Sequence, residues 1–60
     1  MTREELETIE AMSVMGGHFV RGLASLYTVA NTENRRVIRE TWPDIWAEYS
    51  ALAKKEVGDE

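Results

Sequence analysis

Apolar positions recur along this chain at alternating intervals of three and four. Ile9, Met12, Gly16, Phe19, Leu23, Leu26 and Ala30 form one such series, and Leu6, Ser13, Val20 and Tyr27 widen the same face. This is a heptad seam, the mark of an amphipathic helix that buries one stripe. The seam keeps its phase through two adjacent glycines, Gly16 and Gly17. That continuity predicts one long helix from about residue 2 to residue 30. No stretch alternates with period two and no hairpin dipeptide occurs, so no strand is predicted.

The start of the long helix is spelled out. In "TREE", Thr2 can accept from the backbone N–H of Glu5 while the Glu5 carboxylate reaches back to the N–H of Thr2, a capping box. Glu4, Glu5 and Glu7 then sit where the helix dipole favours negative charge. At the other end, Asn31 and Thr32 supply turn and cap chemistry. A short helix over about 33–40 follows. Pro43 cannot donate to the carbonyl of Arg39 and restricts Trp42, so the chain must kink or restart there. "TWPD" fits a restart, with Thr41 as cap and Asp44 three residues on. From about 42 to 57, Trp42, Ile45, Trp46, Tyr49, Leu52 and Ala53 form an apolar face. Lys54 and Lys55 suit the negative end of that helix, and Gly58 is a natural terminator.

Each interior glycine should cost about 1 kcal/mol relative to alanine in a helix, so the Gly16–Gly17 pair needs a reason. In a hairpin turning near residue 32, helical rise sets Gly17 opposite Trp46 and Ala47, and Gly16 opposite Tyr49. A notch there either seats an aromatic ring, which is packing, or admits a ligand or a second helix to the backbone.

Composition narrows the class. Sixty residues make a single helical domain, 1–60, close to the smallest chain that folds alone. There is no cysteine to staple it, yet 43% of the residues are hydrophobic, too many for a disordered chain. A chain of this kind completes its core by oligomerising. Uncharged runs at 11–20 and 22–32 fall short of the ~20 residues that a membrane span needs. The four glutamates among the first 15 residues do not suit a signal peptide. A cytoplasmic location is expected.

The net charge of −4 is unevenly spread. Residues 1–17 set Arg3 against Glu4, Glu5, Glu7 and Glu10, a net −3; residues 18–39 set Arg21, Arg35, Arg36 and Arg39 against Glu33, a net +3. Residues 40–60 set two lysines against six carboxylates, a net −4. The acidic total disfavours general nucleic-acid binding, while the basic middle leaves room for a local anion site.

Catalysis is poorly provided for. His18 is the sole histidine, so no triad is available, and no His-x-x-x-His or Glu-x-x-His pair spells a metal site. No phosphate-loop signature occurs, and no cofactor or metal is implied. The residues that converge on an anion are Gly16 and Gly17, which permit close approach, with His18 and Arg21 one turn apart. Arg36 and Arg39 are further phosphate partners, and Trp42 and Trp46 could stack on a base. Each also has a plainer reading. His18 flanks the seam, the arginines form a solvated face, and the tryptophans belong to a core. Arg35 and Arg39 are a like-charge i,i+4 pair, a weak pointer to an acidic partner.

The run "MGGHFVRGLASLYTVANTENRRVIRETWPDIWAEY" resembles a group of short proteins encoded by tailed bacteriophages and prophages. The matching residues are Gly16, Gly17, Phe19, Val20, Leu23, Ala24, Asn34, Trp42, Pro43, Trp46 and Tyr49. His18 stands where that group more often has a small hydroxyl residue. The resemblance implies a phage accessory protein in the bacterial cytoplasm that binds a host component, blocking an enzyme or sequestering a signalling nucleotide.

The sequence therefore predicts an all-α helical hairpin assembled into an oligomeric bundle. Ile9, Met12, Phe19, Leu23, Leu26, Ile45, Tyr49 and Leu52 would line the subunit interface. Three non-enzymatic functions fit: sequestration of a small anionic ligand such as a nucleotide, inhibition of a host protein through an amphipathic helix or the basic tip, and, behind these, a structural part of the phage particle.

Overall fold

A computed structural model describes residues 1–57. Among the described residues the protein is all-helical, with four helices: α1 (Arg3–Met15), α2 (His18–Val29), α3 (Thr32–Thr41) and α4 (Pro43–Val57). The expected all-α class holds. The expected single helix over 2–30 does not, because it is broken in two at Gly16–Gly17.

The reason lies in what each half can bury. A helix of 29 residues cannot cover its own apolar stripe, whereas two helices folded back on each other can. Tyr27, near the end of α2, donates its hydroxyl to Glu5, near the start of α1, so the two helices run antiparallel and the glycines are their turn. The N–H of Gly16 still donates to the carbonyl of Met12, closing α1, and both glycines are then extended. A Cβ on Gly16 would lie 2.5 Å from the Met12 carbonyl oxygen and 2.5 Å from Val20 Cγ1. Glycine is required there by close approach. The predicted notch facing Trp46 and Tyr49 is therefore absent: the space over Gly16 is filled by Val20 from the next helix, and a Cβ on Gly17 would meet nothing within 4 Å.

The break also resets the seam. Ile9, Met12, Leu23, Ala24, Tyr27 and Ile38 form the buried core, with Val20, Ala30, Trp42, Ile45, Trp46 and Tyr49 packed against it. Ile9, Met12 and Leu23, expected at a subunit interface, are thus used inside the chain. Ile45, Tyr49 and Leu52 are half-buried, while Phe19 and Leu26 remain exposed. Burying a methionine as fully as Met12 contributes about 2 kcal/mol by area.

The capping box of α1 is formed: Glu5 N–H donates to Thr2 Oγ1 at 3.1 Å, and Thr2 N–H to Glu5 Oε1 at 2.8 Å. Asn31 caps α3 by accepting from the Asn34 N–H at 2.8 Å. Thr32 belongs to α3 itself. Pro43 separates two helices rather than kinking one, standing at the first position of α4, where no N–H is needed. Thr41 is not the cap expected of it; it ends α3 and donates its hydroxyl to the Val37 carbonyl at 2.7 Å. Gly58, read as the terminator, lies outside the described residues.

Helix α4 runs antiparallel along α1. Thr8 Oγ1 donates to the Glu4 carbonyl at 2.9 Å and has a single hydrogen, so Ser50 is the donor in the 3.0 Å Thr8–Ser50 contact between the two helices. Thr8 is buried, and that pairing satisfies it.

Candidate functional site

The predicted ligand-binding residues fall into two groups, and the fold does not unite them. Gly16, Gly17, His18 and Arg21 lie at the α1–α2 turn and the first turn of α2. Arg36 and Arg39 lie on α3, Trp42 joins α3 to α4, and Trp46 is on α4.

The second group is engaged internally. Arg36 pairs with Glu33 and with Glu40 (2.8 Å), and these two carboxylates, Glu33 foremost, raise its pKa. Arg39 Nη1 donates to Tyr27 Oη at 2.5 Å and to Glu5 Oε2 at 3.2 Å. Trp46 packs on the Tyr27 ring at 4.9 Å, tilted by 33°, and Trp42 meets the Phe19 ring edge-on at 5.7 Å. Arg35, paired with Arg39 as a like-charge couple in the sequence, has its own acceptors. Its Nε donates to the Tyr27 carbonyl at 3.0 Å and its Nη2 to the Thr28 carbonyl at 3.1 Å, while the guanidinium lies over the Tyr27 ring. It satisfies the open carbonyls at the end of α2. The Arg35–Arg39 repulsion is thus offset within the chain and requires no acidic partner.

Glu5, Tyr27 and Arg39 form a closed polar group in which each side chain bonds to the other two. Tyr27 is fully buried. Its hydroxyl, with the Thr2 N–H next and Arg39 contributing, holds the Glu5 carboxyl at a pKa of about 2 against an ordinary 4.5. Burial, then the bond to Glu5, push the Tyr27 hydroxyl above its usual 10. Sequence reading placed Glu5 only in the capping box and Tyr27 only in the core. The partners of Glu5 lie 22 and 34 residues away and Arg39 is 12 residues from Tyr27, and no local spacing points to them.

Two clefts open beside this group. One, of about 290 Å³, runs between α1 and α4 past Glu4, Glu7, Arg39 and Lys54; the other, of about 340 Å³, lies by Thr2, Thr32 and Arg35. Carboxylates share the first with its cations, which suits it poorly to an anion. Among the described residues no cluster of His, Asp or Glu is arranged to hold a metal ion.

The first group is built differently. Gly17 is the N-cap of α2 and offers no side-chain acceptor to the free backbone N–H groups of the first turn. That turn contains no carboxylate. His18 and Arg21 are exposed, and among the described residues neither makes an ion pair or a side-chain hydrogen bond. Free N–H groups, the positive end of a dipole, an imidazole and a guanidinium therefore share one surface. Chemically, it can take an oxyanion. Of the described helices, none is long and apolar enough to cross a membrane. The chain matches no protein-family model, no curated protein and no solved structure.

Proposed function

We propose that this chain is a non-enzymatic accessory protein of the bacteriophage type, acting in counter-defence in the bacterial cytoplasm. Its task is to sequester a small anionic ligand, a nucleotide signal, within a homo-oligomer. The supporting observation is the first turn of α2, where His18 and Arg21 stand exposed beside a helix start that Gly17 leaves without a side-chain cap. Charge-assisted bonds from such groups suit phosphate oxygens. Arg36, Arg39 and Trp46 drop out of the proposed site because each has partners within the chain. One chain of 60 residues is too small to enclose a ligand, so an oligomer must supply the remaining wall.

Native mass spectrometry of the protein purified from bacterial cells, followed by denaturation, tests this reading. The expected result is an oligomer carrying extra mass that leaves as a nucleotide anion. Arg21→Ala should lose that mass while keeping its helix content. An oligomer that carries no adduct and binds no nucleotide by calorimetry overturns the reading in favour of protein binding.

A further inference from the structure

Three junctions join the four helices, and two of them are locked by their own residues. Between α2 and α3, Asn31 caps the new helix while Arg35 covers the Tyr27 and Thr28 carbonyls. Between α3 and α4, Pro43 has no N–H with which to continue a helix. The junction between α1 and α2 has no such lock. Gly17 gives no side-chain cap, the last turn of α1 holds no cation and the first turn of α2 no carboxylate.

The backbone on either side of this junction is already helical in its bonding. Gly16 donates to the Met12 carbonyl and Arg21 to the Gly17 carbonyl, both at the i→i−4 spacing of an α-helix. Between these two bonds lie the groups that helix ends leave open: the N–H of Gly17, His18, Phe19 and Val20, and the carbonyls of Ser13, Val14, Met15 and Gly16. In a continuous helix those donors meet those acceptors one to one. The turn is a gap in a single ladder.

We infer that this turn is a hinge: α1 and α2 join into one helix, and two chains opened in this way exchange their α1 segments to form a dimer. The inference goes beyond the function proposed above and does not depend on it.

The groove that α1 leaves identifies the second copy. In the hairpin α1 lies against α2 and α4, where Glu5 takes the Tyr27 hydroxyl, Thr8 the Ser50 hydroxyl, and Ile9 and Met12 enter the core. An opened chain presents that groove empty, and the segment shaped and charged to fill it is α1 of the same sequence. Exchange restores each of these contacts, now between two chains.

What changes is the hinge. Opening it closes the gap in the ladder of each chain and ends the crowding at Gly16, where a Cβ would lie 2.5 Å from the Met12 oxygen. Against it stand two glycines inside a helix and the cost of bringing two chains together. Concentration therefore decides between the forms, the hairpin when dilute and the exchanged dimer when concentrated. The exchange also governs the first turn of α2. Its N–H groups are free in the hairpin and bonded within the helix of the dimer, so an oxyanion reaches them only in the hairpin. An oligomer that carries a ligand there is accordingly one of hairpins.

Substitutions at the glycines move this balance in opposite directions. Alanine is preferred to glycine inside a helix, and the preference counts once in each chain, so Gly17→Ala should strengthen dimer association about thirtyfold. Position 17 has room for a Cβ in the hairpin, which keeps this variant folded in either form. Gly16→Ala should strengthen it further, because its Cβ does not fit the hairpin. Gly17→Asp caps α2 where it starts and should weaken association.

Sedimentation velocity over a wide concentration range measures association, and a distance within one chain tells exchange from any other dimer. The chain has no cysteine, so Glu4→Cys and Thr28→Cys, at two exposed positions, place one pair of spin labels. With labelled chains diluted in unlabelled ones, the labels are neighbours across the hairpin and about 35 Å apart along one helix. The expected result for Gly17→Ala is a monomer with the short distance and a dimer with the long one. A Gly17→Ala chain that is monomeric at every concentration overturns the proposal. So does a dimer that keeps the short distance; it would be a dimer of hairpins and would leave the sequestration reading standing.

Discussion

Tyr27 donates its buried hydroxyl to the same carboxylate, Glu5, that closes the capping box of α1. One side chain thus ends a helix and fastens it to its neighbour. Deleting either partner should be felt across the fold. Tyr27→Phe keeps the ring against Trp46 and should cost about 1–2 kcal/mol, the loss of a partly buried bond to a charged group. Glu5→Ala loses the cap as well and should cost about 2–3 kcal/mol. Glu5→Gln should fall between, since glutamine serves in a capping box but lacks the charge that Arg39 meets. Urea unfolding at one fixed protein concentration measures all three. A Tyr27→Phe midpoint equal to wild type would show that the bond contributes nothing.

The same group sets the acid limit of stability. The Glu5 carboxyl ionises at about 2 in the fold and near 4.5 when free. A depressed value means that the folded chain holds its proton less tightly than the unfolded one. Its contribution is therefore complete above about pH 4.5 and is lost as pH falls toward 2. On the alkaline side, Tyr27 is raised above 10, so the fold favours its protonated form and stability should decline as pH climbs past 10. Melting temperatures across pH should show both limbs. Glu5→Gln should flatten the acid limb, and Tyr27→Phe the alkaline one.

Arg35, Arg36 and Arg39 look alike in the sequence and should differ sharply on substitution. Arg36 meets Glu33 and Glu40 on an open face, where screening leaves such pairs with little effect, so Arg36→Ala should leave the unfolding midpoint unchanged. Arg35→Ala frees two carbonyls at the end of α2, and Arg39→Ala removes a donor from Tyr27 and a charge from Glu5. Each of these should cost about 1–2 kcal/mol. None of the three should change anion binding. A loss confined to Arg36→Ala would return α3 to the binding site.

What the sequence made legible was local. The Thr2–Glu5 box, the Asn31 cap and the boundary at Pro43 depend on residues three or four apart or on one ring, and all three are present. What it hid was non-local. The heptad phase runs through Gly16 and Gly17 by coincidence of spacing, so the pattern concealed a turn that exists because two short stripes bury better against each other than one long stripe does alone. With the turn in place the single seam expected on α2 divides: Leu23 lies in the core of the chain, while Phe19 and Leu26 stay exposed. The tie from Glu5 to Tyr27 and Arg39 follows from the turn and was equally hidden. His18 and Arg21 stand next to the glycines in the sequence, and the structure leaves both exposed at the start of α2.

The two glycines, adjacent and both extended, should respond in opposite ways. A methyl group at position 16 would press on a backbone oxygen of α1 and on Val20, and the backbone cannot yield without opening the turn. Gly16→Ala should therefore destabilise the fold by about 1–3 kcal/mol, the usual penalty of overpacking. Position 17 has open space and the backbone of an N-cap. Gly17→Asp gives α2 the side-chain acceptor it lacks, and aspartate leads glycine at N-caps by only a few tenths of a kcal/mol, so a small rise in melting temperature is expected. The same carboxylate would occupy the free N–H groups and oppose an incoming phosphate beside His18 and Arg21. Gly17→Asp should thus be more stable than wild type and deficient in anion binding. Thermal unfolding and calorimetry on one preparation give both readings. A variant that is stabilised and still binds nucleotide as wild type does would move the ligand away from the start of α2.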